Sequence, residues 1–390
     1  MIKRKTNTNL EVKKKGKVLS TFLLFIIGGI FGASIGILSN SLIIKFMNVE
    51  GNSSKSLELF SFLGSVIIFV LGYLTHIIIH EAGHLVFGLM TGYSFVSFRI
   101  GSFTMIKESG KIKFKRFNIP GTAGQCLMMP PNFREGKYPF VIYNYGGVIM
   151  NLVVSALEIL LVVLLESIAF PLNAILVLTA AGGLFAALTN GIPMKVGGVP
   201  NDAYNIFSML RDEQAKRGFY VQLKVNGLMS LGTRIKEIPI EMFKLKENSD
   251  LSNSMNTSLR LMEYSWHLDN MDFDSAKECI DTLIPYIDDL PLLFKNETDC
   301  ERMFLELVTN CNKAAIDDLY SKNLRKYIKA AKFMIGKRRL LMAYEAFYNE
   351  DKNKALEYYE GAKKLIAKYP VKGEADMELL LMEWIKGKMK

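Results

Sequence analysis

The residues best suited to carry chemistry are His80, Glu81 and His84, which form the pattern H-E-x-x-H within the apolar run GYLTHIIIHEAGHLVFGLM. Residues four apart lie on one face of an α-helix, so the two imidazoles can bind one Zn²⁺ ion. The intervening carboxylate then lies beside the open coordination position and can act as a general base. Such residues are costly in a hydrophobic helix, and only 4 histidines occur in the chain, so chance explains the pattern poorly.

Further polar residues occur in and after the next two apolar stretches. Asn151 and Glu158 lie seven residues apart, and we expect them to face the interior of a helix bundle rather than lipid. His76, one turn before His80, suits a supporting position beside the ligands. A catalytic zinc ion has three protein ligands and one water, and Asp202 is the carboxylate that follows the fourth apolar stretch. Asp202 is therefore the candidate third ligand, the alternative being an ordinary solvated side chain.

Four apolar segments must position these residues, and they lie at 18–44, 60–90, 141–166 and 171–190. Each reaches the length of about 20 residues that a membrane-spanning helix needs. The first contains no charged residue and is longer than the apolar core of a signal peptide, so we expect a transmembrane helix there. Its Gly28 and Gly32 have the G-x-x-x-G spacing of closely packed helices, which ordinary membrane-helix composition explains nearly as well.

The segment that separates the second and third apolar stretches has a different pattern. Residues 94–117 alternate in KIKFKRF around a Glu-Ser-Gly-Lys turn, which predicts a β-hairpin. The run GTAGQCLMMPPN at 121–132 predicts a loop or re-entrant backbone.

The charge of the chain is unevenly distributed. Up to Tyr204 the sequence has 18 basic and 9 acidic residues, whereas from Asn205 onward it has 30 and 29. A membrane half followed by a soluble half explains this division, and the net charge of +10 then belongs mostly to the membrane half. We therefore expect contact with a lipid bilayer and no nucleic-acid partner. The four cysteines lack C-x-x-C spacing, which argues against a zinc knuckle and a disulfide framework.

Basic residues are concentrated in two of the polar segments. The arm at 1–17 carries 7 of them and the segment 91–140 carries 8, whereas the loop at 45–58 holds 2 and the turn at 166–173 none. The positive-inside rule therefore places the N-terminus, the hairpin and everything after residue 190 in the cytoplasm. The chain is then a multi-pass protein of the cell membrane with both termini cytoplasmic.

Residues 206–390 are polar and have helical periodicity. The stretches that begin at Tyr264 and Tyr344 share a layout, in which an aromatic helix and an Asn/Asp turn precede a second helix near Ala276 or Ala355. This layout resembles tetratricopeptide-type helix pairs, which stack into a surface for a protein partner. A plain helical bundle explains the pattern about as well.

Together these motifs resemble the core of the site-2 protease family of intramembrane zinc metalloproteases, over roughly residues 60–205. The resemblance rests on H-E-x-x-H in a transmembrane helix, a glycine pair followed by Asn in the next helix, and N-x-x-P followed by Asp. It implies that His80, His84 and Asp202 bind Zn²⁺ and that Glu81 is the general base. It also implies substrate-binding or supporting roles for the residues that match the family's G-x-x-x-N and N-x-x-P motifs, namely Gly147, Asn151 and Asn190.

Asp202 departs from the spacing usual in that family. The family pattern has Asp five residues after Pro and followed by Gly, whereas Asp202 lies nine residues after Pro193 and is followed by Ala203. The glycines at 197–198 could turn the chain back and absorb the additional residues. Many family members also carry a PDZ domain, and nothing in this sequence has that pattern.

The sequence thus predicts an all-α polytopic membrane protein with four transmembrane helices, a small membrane-associated β-hairpin, and a C-terminal cytoplasmic α-helical domain that is tetratricopeptide-like or a plain bundle. The expected domains are a basic arm at 1–17, the first helix and external loop at 18–58, a metalloprotease core at 59–205 and the helical domain at 206–390.

The resemblance implies hydrolysis of peptide bonds in membrane-spanning protein or peptide substrates. The hairpin would hold an extended substrate by strand addition or simply cover the cytoplasmic mouth of the site. One alternative is a catalytically silent membrane scaffold that recruits a partner through its helical domain, although a scaffold has no need of an intact H-E-x-x-H. A second alternative is a zinc-dependent transporter or metal sensor, but the apolar segments contain few further residues that could bind a metal ion.

Overall fold

The computed structural model describes residues 20–39, 55–108, 110–117, 123–133, 137–165, 171–196 and 199–389. The basic arm predicted at 1–17, most of the first loop and the turn at 166–170 lie outside the described residues. The chain divides into two compact units. One comprises Met1–Gly92 with Pro139–Arg211, and the other comprises Tyr93–Tyr138 with Asp212–Lys390.

The first unit is built on four apolar helices, counted among the described residues: α1 Ser20–Ser39, α2 Lys55–Met90, α3 Phe140–Leu164 and α4 Leu172–Gly191. Each is long and apolar enough to cross a membrane, by length and composition. In the most apolar part of each helix at most 39% of the residues are buried, and large apolar side chains such as Phe25, Phe60 and Leu164 are exposed. The prediction of four such helices is confirmed, and α2 begins five residues earlier than expected.

Small residues let these helices approach closely. A Cβ atom added to Gly83 of α2 would lie 2.3 Å from the carbonyl oxygen of Gly146 in α3, so only glycine fits this crossing. An aromatic cluster joins α1, α2 and α4 through ring contacts between Phe31, Phe69, Tyr73 and Phe185. In contrast, a Cβ atom added to Gly28 or Gly32 of α1 would meet nothing within 4 Å, so their predicted close packing is not found among the described residues.

After α4 the chain reverses through two short paired strands, β5 (Lys195–Val196) and β6 (Val199–Pro200). The helix α5 (Asp202–Arg211) follows at once and packs against α3 and α4. The reversal returns the chain to the end of α4, so the long interval between Pro193 and Asp202 does not carry Asp202 away from the helix bundle.

The second unit contains an antiparallel sheet with strand order β3-β2-β1-β4: β1 Ser94–Ile100, β2 Phe103–Glu108, β3 Lys111–Arg116 and β4 Gly124–Met129. The predicted hairpin is confirmed, since Glu108 pairs with Lys111 across the expected turn. The prediction of a loop or re-entrant backbone at 121–132 is wrong, because that run contains β4. Cys126 and Met128 are buried while Gln125 is exposed, so the run has the alternation of a strand.

The sheet packs on helices of the same unit. Strand β4 lies against α6 (Glu213–Ser230). Phe117, just after β3, contacts the rings of Phe333 and Tyr369, and Glu108 forms ion pairs with Lys113 and Lys372. The hairpin therefore shares a core with helices from the far end of the chain.

The remaining described helices of this unit are α7 Ser254–Asp269, α8 Phe273–Asp281, α9 Leu292–Val308, α10 Lys313–Leu319, α11 Lys322–Ala330, α12 Ile335–Ala343, α13 Lys352–Ile366 and α14 Lys372–Lys388. The two helix-turn-helix layouts predicted from sequence are present as α7 with α8 and as α12 with α13. In each, an Asp side chain caps the second helix, Asp272 in one and Asp351 in the other. Four residues later Ala276 and Ala355 are both fully buried, so the two turns share one geometry.

Candidate metal centre

Three potential ligand atoms from α2 and α5 meet inside the first unit. His80 Nε2 lies 2.9 Å from Asp202 Oδ2 and 3.1 Å from His84 Nε2. His84 Nε2 lies 3.6 Å from the same carboxylate oxygen. The side chains of both histidines are 10% exposed. The structure therefore brings together the three residues predicted to bind the metal, although they are separated by up to 122 residues.

The tautomer of His84 is set by a backbone carbonyl. Its Nδ1 lies 2.8 Å from the carbonyl oxygen of Tyr143, which can only accept a hydrogen bond, so Nδ1–H donates. Neutral His84 consequently presents a lone pair at Nε2, toward His80 and Asp202. Two acceptors, His84 Nε2 and Asp202 Oδ2, then face each other in a buried place, an arrangement that a cation between them stabilises.

The spacing of the three atoms matches a small tetrahedral ion. Ligand atoms roughly 2.0–2.2 Å from a tetrahedrally coordinated zinc ion lie about 3.4 Å from one another. The three distances of 2.9, 3.1 and 3.6 Å bracket that value. The donor set of two imidazoles and one carboxylate is also one that catalytic zinc sites use. The residues present therefore fit Zn²⁺ with one coordination position left over.

A fully buried amide connects the ligands to a third histidine. Asn151 of α3 lies between Nδ1 of His80, at 3.3 Å, and Nδ1 of His76, at 3.1 Å. His76 Nε2 in turn lies 3.4 Å from Glu158 Oε2. His76, predicted as a supporting residue, thus contacts the site through Asn151. Both predicted inward-facing residues of α3 belong to this chain of polar contacts.

Asn151 can serve either tautomer of His80, because a half-turn of its amide exchanges the oxygen and the nitrogen. As described, the amide N–H donates to His80 Nδ1, and the Nε2–H of His80 is free to donate to Asp202. With the amide turned, its oxygen accepts from Nδ1–H of His80, and Nε2 presents a lone pair to a metal. In the turned orientation the Nδ1 of His76 accepts from the amide while its Nε2–H donates to Glu158.

Two glycines make room for these rings. A Cβ atom at Gly147 would lie 2.5 Å from the imidazole of His80, and one at Gly183 would lie 2.3 Å from that of His76. Both distances are far below van der Waals contact. Gly147 was predicted at the site from the family pattern, whereas Gly183 was not. Its pairing with His76 depends on how α2 and α4 cross, which residue spacing alone does not indicate.

Asn201 holds Asp202 in place, and sequence reasoning missed it. Its side-chain nitrogen donates to the carbonyl oxygens of Thr189 and Ile192 at the end of α4, at 2.7 and 2.6 Å. Its side-chain oxygen accepts from the backbone N–H groups of Met194 and Tyr204, at 3.0 and 2.9 Å. An Asn directly before an acidic first helical residue is a capping signal that could have identified it.

The carboxyl group of Asp202 is held in its charged form. Burial by itself would raise its pKa, but hydrogen bonds with His84 and His80, and the attraction of either imidazole when it is protonated, keep the pKa below the ordinary value for aspartate. The side chain of Asp202 is 19% exposed and its Oδ2 lies within 3.6 Å of both imidazole Nε2 atoms, so Asp202 is not an ordinary solvated side chain.

The remaining predicted residues lie nearby in different settings. Glu81 follows His80 on α2, is partly exposed, and lies near enough to His84 for an electrostatic interaction. Asn190 donates to the carbonyl oxygen of Ala186, one turn earlier in its own helix, at 3.0 Å. The described contacts of Asn190 thus stabilise the last turn of α4.

A second group of potential ligands occurs in the other unit, formed by Glu263, His267 and Cys279. Glu263 already pairs with Lys244 at 2.6 Å and Arg260 at 2.7 Å. Burial raises the pKa of the Cys279 thiol to about 11, so it is protonated at neutral pH. This group is therefore much less suited to a metal ion than the group in the helix bundle.

The described residues therefore assemble one buried group of two histidines and an aspartate, supported by an amide and a third histidine, within a bundle of apolar helices. The arrangement is compatible with a metal ion that activates water. No protein-family model matches the chain, and no curated protein or solved structure is significantly similar to it.

Proposed function

We propose that this chain is an intramembrane zinc metalloprotease, of the kind that the site-2 protease resemblance implies, acting on membrane-anchored protein or peptide substrates. The observation that carries the proposal is the convergence of His80, His84 and Asp202 within a bundle of outward-facing apolar helices. A zinc ion held there would supply a Lewis acid for water and for a scissile carbonyl.

The protein's own residues have separate roles in this proposal. His80, His84 and Asp202 hold the ion, and Asn151 orients the ring of His80. Glu81 accepts a proton from the attacking water and passes it to the amide nitrogen as the C–N bond breaks. Neither the ligands nor their supporting amide need to change protonation during this transfer. Peptide hydrolysis among apolar helices also requires a substrate segment that is locally unwound, because helical backbone is internally hydrogen bonded.

The proposed setting is the cell membrane, with α1 to α4 spanning it and both termini in the cytoplasm. The support is the outward-facing apolar surface of the four helices together with the distribution of basic residues. In this orientation His80 and His84, near the end of α2, lie in the cytoplasmic half of the membrane.

Glu81→Gln tests the proposed chemistry, since it removes the base and leaves the three ligands. We expect the purified variant to retain the zinc content of the parent protein and to lose hydrolysis. Cells that carry the variant should accumulate uncleaved membrane proteins, which quantitative proteomics of the membrane fraction would identify as substrates. Equal zinc content with no accumulating protein would contradict a role for Glu81 in hydrolysis.

A membrane scaffold remains the second candidate function, because the helix pairs α7 with α8 and α12 with α13 share one turn geometry, as stacked interaction repeats do. The same variant separates the two candidates. A scaffold carrying Glu81→Gln would replace the parent protein fully in a deletion strain, whereas a protease carrying it would not.

A further inference from the structure

The second unit encloses a large cavity that the proposed protease chemistry does not use. Its volume is about 620 Å³, and it lies among α7, α9, α11, α12 and α14. Leu293 and Ala330 of the lining are exposed, so the mouth of the cavity lies beside them. Cavities of roughly 300–1,000 Å³ that are mostly apolar and contain a few polar groups are typical of sites for small ligands.

Carboxylates outnumber cations in the lining of this cavity. Its charged residues are two cations and four carboxylates, namely Lys337, Arg339, Glu297, Glu301, Glu374 and Glu378. Both cations are already paired: Lys337 contacts one carboxylate at 2.7 Å, and Arg339 contacts two others, each at 2.7 Å. With four carboxylates against two cations, the lining carries an uncompensated negative charge.

Three of the carboxylates also keep an oxygen without a hydrogen-bond donor. Glu301 and Glu378 use only Oε2 as an acceptor, and Glu374 uses only Oε1. In the part of the chain that the structure describes, no donor reaches Glu301 Oε1, Glu374 Oε2 or Glu378 Oε1. Solvent can still reach these three oxygens, and the residues that carry them line the cavity. The cavity therefore offers open acceptors.

Two of these open acceptors lie side by side. Glu374 and Glu378 are four residues apart on α14 and so share one face of that helix. Burial raises the pKa of Glu374 to about 7 and also raises the pKa of Glu378. A positive charge between the two carboxyl groups would favour the ionised form of both, whereas an anionic ligand would be repelled.

The spacing and the lining favour an organic cation over a metal ion. Among the described residues, two groups of three ligand atoms lie close enough together for one metal ion, and neither includes a carboxylate of the cavity. The lining instead contains six aromatic side chains, which are Phe117, Tyr264, Phe294, Tyr327, Phe333 and Tyr369. Aromatic faces attract ammonium groups, and the apolar lining can bury a hydrocarbon body.

We propose that this cavity binds a small organic ammonium cation, whose charged nitrogen donates to Glu374 and Glu378 and whose apolar body lies among the aromatic side chains. The ammonium group belongs to a free amine or to the N-terminus of a short peptide, which present the same chemistry to these carboxylates. The proposal goes beyond the proposed protease function and does not rest on it, because the cavity lies within the second unit alone.

The experiment uses the full-length protein in nanodiscs of phosphatidylcholine, a lipid without net charge. Octylamine, octanol and octanoate are the cationic, neutral and anionic probes, and they share one apolar chain. Calorimetric titration measures binding, and titration of protein-free nanodiscs corrects for partition into lipid. We expect octylamine to bind about tenfold or more tightly than octanol, because charge-assisted hydrogen bonds are the stronger ones, and octanoate to bind more weakly than either.

A second pair of probes distinguishes the two sources of the ammonium group. Leucyl-leucinamide has a free N-terminus, and its acetylated form lacks the charge but is otherwise matched. Tighter binding of leucyl-leucinamide than of octylamine, with loss of binding on acetylation, would support the proposal and assign the ammonium group to a peptide. Equal binding of the free and acetylated forms would contradict a site for a cation.

Variants of one carboxylate locate the binding. Glu374→Gln removes the charge and keeps an acceptor for the hydroxyl group of Tyr369, whereas Glu374→Asp keeps the charge. Glu357→Gln is the matched control, at an exposed position of α13 outside the lining. We expect the dissociation constant for octylamine to rise about tenfold or more in Glu374→Gln, to rise less in Glu374→Asp and to stay unchanged in the control.

Thermal unfolding of each variant shows whether the second unit remains folded, and no loss of stability is expected in Glu374→Gln, because burial disfavours the charge that it removes. Equal octylamine affinity in Glu374→Gln and Glu357→Gln would overturn the proposal. Binding of octanol or octanoate as tightly as octylamine would overturn it too, as would the absence of binding for every probe.

Discussion

Asp202 is the residue on which the assignment of the metal centre depends most. The sequence offered it only as the first carboxylate beyond the fourth apolar helix, at an unusual distance from Pro193. The structure places its Oδ2 within 3.6 Å of both imidazole Nε2 atoms. A reversal at the glycines of 197–198 was expected from the sequence, but the hydrogen bonds of Asn201 that hold the chain at the end of α4 could not be inferred from spacing.

Replacement of Asp202 by Ala should lower zinc affinity strongly and abolish hydrolysis, since a catalytic site retains three protein ligands. Zinc content after dialysis against a graded chelator series would measure the loss. Asp212→Ala is the matched control, because Asp212 also lies at a helix N-terminus, where it accepts from Gln214 N–H at 2.8 Å. Equal zinc retention by both variants would remove Asp202 from the ligand set.

Asn151 is expected to act on the metal through the ring of His80. Asn151→Ala removes the partner of His80 Nδ1 and should weaken zinc binding about 10- to 100-fold, the usual effect of losing such a contact. Asn151→Asp supplies an oxygen that accepts from Nδ1–H and should restore most of the affinity. A purely structural role predicts the opposite order, because a charge in a fully buried position is costlier than a methyl group. Competition with a zinc-binding dye distinguishes the two orders.

At the scale of elements, much of the architecture follows from local pattern. The four apolar helices, the hairpin turn and the two helix pairs were predictable, because length, apolarity and turn residues are local properties. Strand β4 was not predicted, since its Gly-rich start and the following prolines resemble a loop until β1 is available to pair with it. A third turn of the same type occurs at Asn312, which caps α10 and lies four residues before the buried Ile316. It was not predicted, because α10 is only 7 residues long and its helical pattern in the sequence is correspondingly weak.

The crossing of α2 and α3 provides an element-scale prediction. Gly147→Ala places a methyl group about 2.5 Å from the His80 ring, so the helices must separate or the ring must move. Overpacking of this kind typically costs about 1–3 kcal/mol, and here it should also lower zinc affinity. Thermal unfolding and zinc content would be measured together. Gly28→Ala is the control, because an added Cβ atom there would meet nothing within 4 Å, and it should lower neither quantity.

At the scale of the whole molecule, the two compact units differ in what they bury. The first exposes long apolar helices and buries a small polar centre, whereas the second buries charged side chains such as Lys337 and Arg339 in a conventional core. The division of charge along the sequence anticipated this difference. The grouping of the hairpin with the helical unit was not anticipated, because it depends on contacts such as Glu108 with Lys372, across 264 positions of chain.

Topology is the prediction that belongs to the whole molecule. Positive-inside counting and four spanning helices together require the loop at 45–58 to be external and the hairpin and C-terminal unit to be cytoplasmic. Alkaline phosphatase fused at Asn52 should be active, because that enzyme folds only outside the cytoplasm, and fusions at Lys111 or after Lys390 should be inactive. Green fluorescent protein at the same three positions should give the reverse pattern. An active phosphatase at Lys111 would mean that the orientation is inverted and that the metal centre lies toward the external face. The same reporter result at Asn52 and at Lys111 would mean that α2 does not span the membrane.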